Sequence, residues 1–173
     1  MANVDRPHGF RPLAAHASYS SSATNVYNVA AANTLLGRND LVTLTAAGVI
    51  DRSAASDTQI VGATTDIIAA AAGGTANVVD DPHMKYEAQT DDGTGTLTAT
   101  TDLNSNADIV VANATSGVSR MEIDENSRAV TATLPLKVLH LYNEANNEFG
   151  EFNRLVVTIN NHVLGSLGVT GVV

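Results

Sequence analysis

Two runs, Ala132-Thr133-Leu134-Pro135-Leu136-Lys137-Val138-Leu139-His140-Leu141-Tyr142 and Arg154-Leu155-Val156-Val157-Thr158-Ile159-Asn160-Asn161-His162, flank the acidic, Asn-rich segment 143–153. Side chains alternate between the two faces of a β-strand. In the first run Leu134, Leu136 and Val138 fall on one face and Lys137 on the other. In the second, Leu155, Val157 and Ile159 oppose Val156, Thr158 and Asn160. Both runs therefore read as strands. Pro135 has no N–H to donate, so its run is an edge strand or begins after it. The eleven residues between the runs are too many for a tight hairpin, and loops of that size in a compact domain are often functional. Three Glu, four Asn and two Phe suit a surface contact better than a catalytic pocket.

Working outward, the chain keeps the same texture. Segments 25–29, 41–45, 49–50, 59–62, 75–79 and 84–89 are short β-like runs, and Gly48 turns the second into the third as a hairpin. Turn signals recur about every 8–15 residues, a spacing that favours an all-β barrel or sandwich. Helical signals are scarce. Asp66 to Ala72 has helical composition, but Gly73-Gly74 ends it after two turns, and Thr101 to Ala107 reads as a capped helical turn. The expected fold is all-β, a compact β-barrel or β-sandwich domain over residues 25–173. An extended N-terminal arm over residues 1–24 precedes it, and helix is limited to short turns. In the arm, Pro7 and Pro12 bracket His8-Gly9-Phe10-Arg11 and bias the backbone towards extended conformations. The Ser18–Ser22 run that follows has no apolar period. Phe10 is placed to anchor the arm on a neighbouring surface, and the alternative is a disordered terminus.

Composition narrows the functional classes. The 173 residues carry a formal charge of −9, with nine scattered Lys and Arg. Nucleic-acid binders cluster such residues to neutralise phosphates, and anionic membranes select for them too. No nucleic-acid or membrane partner is expected. Hydrophobic residues make up 44%, much of it Ala, and aromatics 4% with no Trp. A core of that kind buries less area per residue, at roughly 25 cal/mol per Å², so oligomerisation or docking on a scaffold would add stability. The absence of Cys excludes disulfides and thiolate metal sites. The N-terminal residues lack the apolar core of a secretory signal, so synthesis and folding in a cytoplasm are expected.

No constellation meets the requirements of an active site. Asp80-Asp81-Pro82-His83 offers two carboxylates and an imidazole, yet reads better as an Asx-Pro turn between strands. Asp102-Leu103-Asn104-Ser105-Asn106-Ala107-Asp108 spaces oxygen ligands like a calcium loop. The Gly and Glu that such a loop needs at its sixth and twelfth positions are Ala107 and Asn113. The five histidines are dispersed, and Gly73-Gly74 lacks the Lys and Ser/Thr of a phosphate loop. We expect no enzyme, no cofactor, and no catalytic or metal-binding residues.

Five segments, taken in order, resemble a group of tailed-bacteriophage head-decoration proteins, also called cement or capsid-stabilising proteins. They are Asn3-Val4-Asp5-Arg6-Pro7-His8-Gly9-Phe10-Arg11-Pro12, Val78-Val79-Asp80-Asp81-Pro82-His83-Met84-Lys85-Tyr86-Glu87-Ala88-Gln89, Ala132-Thr133-Leu134-Pro135-Leu136-Lys137-Val138-Leu139, Asn147-Glu148-Phe149-Gly150 and Val157-Thr158-Ile159-Asn160-Asn161-His162. Together they span nearly the whole chain. The Ala-rich stretch from Asp66 to Gly74 departs from the pattern. The resemblance implies a non-enzymatic virion protein on the exterior of the head. It would bind the phage major capsid protein, most often as a homotrimer at three-fold positions. On that reading Arg6, Phe10 and Arg11 of the arm, and Glu148, Phe149 and Phe152 of the long loop, are the expected capsid or subunit contacts. Two other readings are a phage tail or baseplate component of the same architecture, and a surface glycan-binding β module. The few aromatics weigh against the last.

Overall fold

The computed structural model describes residues 3–13, 24–55, 57–91, 97 and 102–165. The Ser18–Ser22 run and Thr101 lie outside the described residues. Strands make up 45% of the structure and helix 1%, which makes the fold all-β as expected. In chain order the strands are β1 (Arg11–Pro12), β2 (Thr24–Val29), β3 (Leu41–Leu44), β4 (Ile50–Arg52), β5 (Ile60–Thr64), β6 (Gly74–Val79), β7 (Lys85–Gln89), β8 (Asn106–Val110), β9 (Glu122–Ala129), β10 (Leu136–Leu141) and β11 (Arg154–Ile159).

They form two units. Strands β2-β4-β3-β5-β6 close into a small barrel, and β1-β7-β11-β10-β8-β9 form a six-stranded sheet. The sheet curls: just beyond β7, Thr90 makes a parallel bridge to Ile123 of β9. Barrel and sheet share a core because neighbouring strand residues point to opposite faces. Val42, Val61 and Val78 fill the barrel with Val29, Leu36, Ile50 and Ala76. Their neighbours Leu41, Ile60 and Val79 face outwards into the larger cluster under the sheet, with Tyr86, Leu136, Val138, Leu155 and Val157. Both faces of β5 are thereby covered, and all five of its residues are buried. The segment after β11 ties the units together: Ile60 donates to the carbonyl of Asn161, and Val163 donates to that of Ile60 (3.2 and 2.9 Å).

The closing pair folds as its pattern implies. β10 and β11 are antiparallel, with Leu136 opposite Ile159 and Leu141 opposite Leu155, and a register shift between Val138 and His140. β10 lies between β11 and β8, so it is an interior strand that starts immediately after Pro135. The Pro135 carbonyl still accepts a hydrogen bond from Asn160 N–H, at 2.6 Å.

Three local expectations resolve differently or more finely. Asp66 to Ala72 forms no helix; Ile68 bridges Leu36 through a reciprocal backbone pair (2.9 and 3.0 Å). A two-turn segment is too short to hold itself helical in water, whereas that bridge helps cover the barrel core, against which Ile68 packs. Residues 102–104 do turn, but strand β8 already begins at Asn106. In the supposed calcium loop, Asp102 pairs with Arg128 (2.8 Å) and Asp108 N–H donates to Ser127. Asp80 to His83 is a turn. Asp81 accepts from His83 N–H and Met84 N–H (2.8 and 2.9 Å), while Asp80 takes the Tyr27 hydroxyl at 2.6 Å.

Where the barrel strands meet, Gly62 of β5, with φ 156°, lies against the β6 backbone. A Cβ added there would stand 1.9 Å from the Val79 carbonyl oxygen, a backbone atom that cannot swing away. Gly62→Ala is therefore expected to lower unfolding stability by about 2 kcal/mol or more. Urea denaturation followed by far-UV circular dichroism checks this, and an unchanged midpoint would contradict it.

Candidate functional site: the N-terminal strap and the long loop

Residues 3–13 are laid along the six-stranded sheet as a strap. β1 pairs antiparallel with β7, Arg11 opposite Glu87 and Pro12 opposite Tyr86, and Leu13 N–H adds a bond to the Lys85 carbonyl at 2.8 Å. Further towards the N-terminus the buried Gln89 side chain grips the strap in both directions. Its oxygen accepts from Arg6 N–H and its amide donates to the Val4 carbonyl, each at 2.8 Å. Asn3 then reaches the long loop, donating to the carbonyls of Glu148 and Glu151 at 2.8 Å. At the strap's bend Gly9 has φ 73°, and a Cβ there would lie 2.3 Å from the Ser119 Cβ and 2.5 Å from the Asn39 carbonyl oxygen. Only glycine fits that approach.

The strap crosses a buried carboxylate. Glu87 is fully enclosed, and three side chains converge on it. His8 Nε2 and Arg11 Nε lie 2.9 Å from Oε2, and Arg154 Nε lies 2.5 Å from Oε1. Burial alone would push the Glu87 pKa up. Hydrogen bonds from His8 and Arg154, together with their charges, outweigh burial and hold it down at about 2. Tyr142 lies beneath the two guanidinium groups, with its ring centre 5.8 Å from Arg11 and 5.1 Å from Arg154.

The long loop is closed by its own asparagines. Asn147 donates to the carbonyls of Tyr142 and Arg154 (both 2.7 Å) and accepts from Arg154 N–H (3.0 Å). Asn153 exchanges hydrogen bonds with Thr90 at 2.8 and 2.9 Å, which pins the far end to the tip of β7. Glu144 pairs with Arg154. Between strap and loop lies an open hollow of about 710 Å³, with Arg6, His8, Arg11, Glu144, Phe152 and Arg154 among its lining.

The expected contact residues fall into three groups. Arg6, Arg11 and Phe152 line this one hollow. Glu148 is exposed beside it, its backbone latched to Asn3. Phe149 is half-buried and packs against the large core. Phe10 requires a correction. It is 0% exposed and belongs to the chain's own core, so it anchors the strap to the sheet and offers nothing to a neighbouring surface. The physical reason is the aromatic shortage: in a core built mainly of Val, Ile and Leu, Phe10 and Tyr86 are the largest fully buried side chains.

Sequence reasoning did not single out Asn3, His8, Glu87, Gln89 or Arg154 as one unit. One signal was present. Tyr86-Glu87-Ala88 sets a carboxylate inside an otherwise core-like strand, which requires cationic partners from elsewhere in the chain. No family model, no curated protein and no solved structure matches this chain.

Because the Glu87 pKa is lowered in the fold, from 4.5 to about 2, its contribution to stability is fully present above pH 4.5. It is lost as pH falls through that window to about 2, and the linkage amounts to about 3 kcal/mol. Glu87→Gln is expected to be less stable than wild type at pH 7 and to lose most of the decline in stability between pH 5 and pH 2.5. Thermal melts across that range check this. Parallel pH profiles for the two proteins would show that Glu87 does not govern the acid limb.

Proposed function

We propose that the chain is a non-enzymatic virion structural protein that binds the outside of a tailed-phage head and stabilises it, as a trimer bridging capsid subunits. One observation carries the reading. The segments that resemble head-decoration proteins are far apart in sequence yet adjoin in the fold. The 3–12 segment contributes β1, which pairs with β7 from 78–89. β7 pairs with β11, which includes the first half of 157–162, and β11 pairs with β10, which begins within 132–139. The 147–150 segment meets the other end of the strap through Asn3 and Glu148. A resemblance that assembles into one contiguous part of the sheet is more informative than the same residues scattered over a barrel.

The proposed mechanism needs no chemistry beyond binding. Each copy presents the strap and the long loop to adjoining capsid subunits, with contacts of ordinary size, roughly 1,600 Å² in total. A trimer engages several such contacts together, so modest individual affinities multiply. A ligand that binds only the assembled shell shifts the balance towards that shell by mass action, and the formal charge of −9 keeps a densely covered exterior soluble. Because Phe10 and β1 are integral to the fold, removing the strap would test folding rather than binding.

The experiment uses the intact chain with purified, expanded phage heads lacking any decoration protein. Saturable co-sedimentation is expected, with DNA release from the decorated heads moving to higher temperature. Heads that sediment without the chain at saturating concentration would overturn the reading.

A further inference from the structure

The hollow between strap and loop is a cationic feature on an acidic protein. Three of the chain's seven arginines, Arg6, Arg11 and Arg154, line it together with His8. Counting only the lining groups and the enclosed Glu87, three guanidinium groups face two carboxylates, a balance of plus one before His8, with Asp5, Glu148 and Glu151 exposed outside the lining, in a chain of formal charge −9. The donors are unequally used. Arg154 is committed to Glu87 and Glu144, and Arg11 to Glu87 and the Tyr142 hydroxyl. Arg6 is exposed, and its guanidinium enters no ion pair among the described residues. It stands at the rim with all its side-chain donors available, while the strap's backbone is fixed beneath it by Gln89.

Size and lining indicate the kind of occupant. At about 710 Å³ the hollow lies within the ~300–1,000 Å³ range of ligand pockets and far exceeds a single small anion. Its walls alternate the cations with apolar and amide groups, including Val4, Phe152 and Asn146. Arg6 can fork onto a carboxylate, Arg11 keeps Nη1 for a second one while its Nε and Nη2 hold Glu87 and Tyr142, and the apolar walls suit the chain between such groups.

We infer that this hollow receives an acidic peptide segment of a partner protein, with Arg6 and Arg11 taking its Asp or Glu carboxylates. The inference names the partner chemistry of the face assigned above to head binding, and it rests on that reading only for where the partner comes from. The two fail separately. Heads that bind while the peptide does not would dismiss this inference alone, and a peptide that binds without head binding would dismiss the other.

The test titrates the full chain with end-blocked hexaglutamate and hexaglutamine peptides by isothermal calorimetry. The variants are Arg6→Glu, which breaks no internal pair, and Arg120→Glu, an exposed cation outside the lining. The expected result is binding of hexaglutamate and not of hexaglutamine. Arg6→Glu should weaken it by about tenfold or more, and Arg120→Glu should leave it within about twofold of wild type. Absent hexaglutamate binding, equal binding of the two peptides, or equal effects of the two variants would each overturn the inference.

Discussion

A single enclosed carboxylate organises this molecule. Glu87 has lost its water entirely, a loss that would normally drive a carboxyl group to keep its proton. It stays ionised because His8, Arg11 and Arg154 meet it from the strap and from β11. The requirement runs in both directions, since a buried charge without its partners is strongly destabilising. The strap is thus held in register by electrostatics as well as by the two residue pairs of β1, and Arg6 of the same strap is left as the unpaired cation of the hollow among the described residues. Glu125 shows what happens without such partners. It is 1% exposed, and burial, with help from Asp91 and Glu151, outweighs Thr90 and the more distant charge of Arg128 and raises its pKa to about 7.

Around this interaction the fold divides labour. The barrel strand β5 packs on both the barrel interior and the core under the sheet, and its two covered faces let the two clusters support each other. That arrangement offsets the shortage of aromatics, and it explains why Phe10 was drawn from the arm into the core. The long loop rests on a frame of its own asparagines, Asn147 and Asn153, so its acidic groups and Phe152 are displayed on a defined backbone.

Much of the architecture was legible in the sequence, because half-buried strands announce themselves by alternation. β10, β11 and the Leu41–Ile50 hairpin follow directly from it. β8 and β9 were not legible. In Asn106–Val110 four of five residues are buried although two are Asn and Asp, so burial there is not written in hydrophobicity. β9, Glu-Ile-Asp-Glu-Asn-Ser-Arg-Ala, carries one large apolar residue in eight. The candidate site was half legible. Arg6, Arg11 and Phe152 fall on the hollow, but the unit formed by Glu87 depends on pairs 67 to 79 residues apart, which no local pattern encodes. Phe10 was misjudged because a lone aromatic on a Pro-flanked segment reads alike whether it anchors to a partner or to its own chain.

In the proposed function the strap and the long loop together form the face that meets a phage head. Hydrogen–deuterium exchange of the intact chain, free and bound to expanded heads, tests it most directly. Added protection is expected in residues 3–12 and 143–153, with the β3–β4 hairpin on the barrel unchanged. Protection confined to the barrel, with strap and loop exchanging as in the free protein, would contradict it.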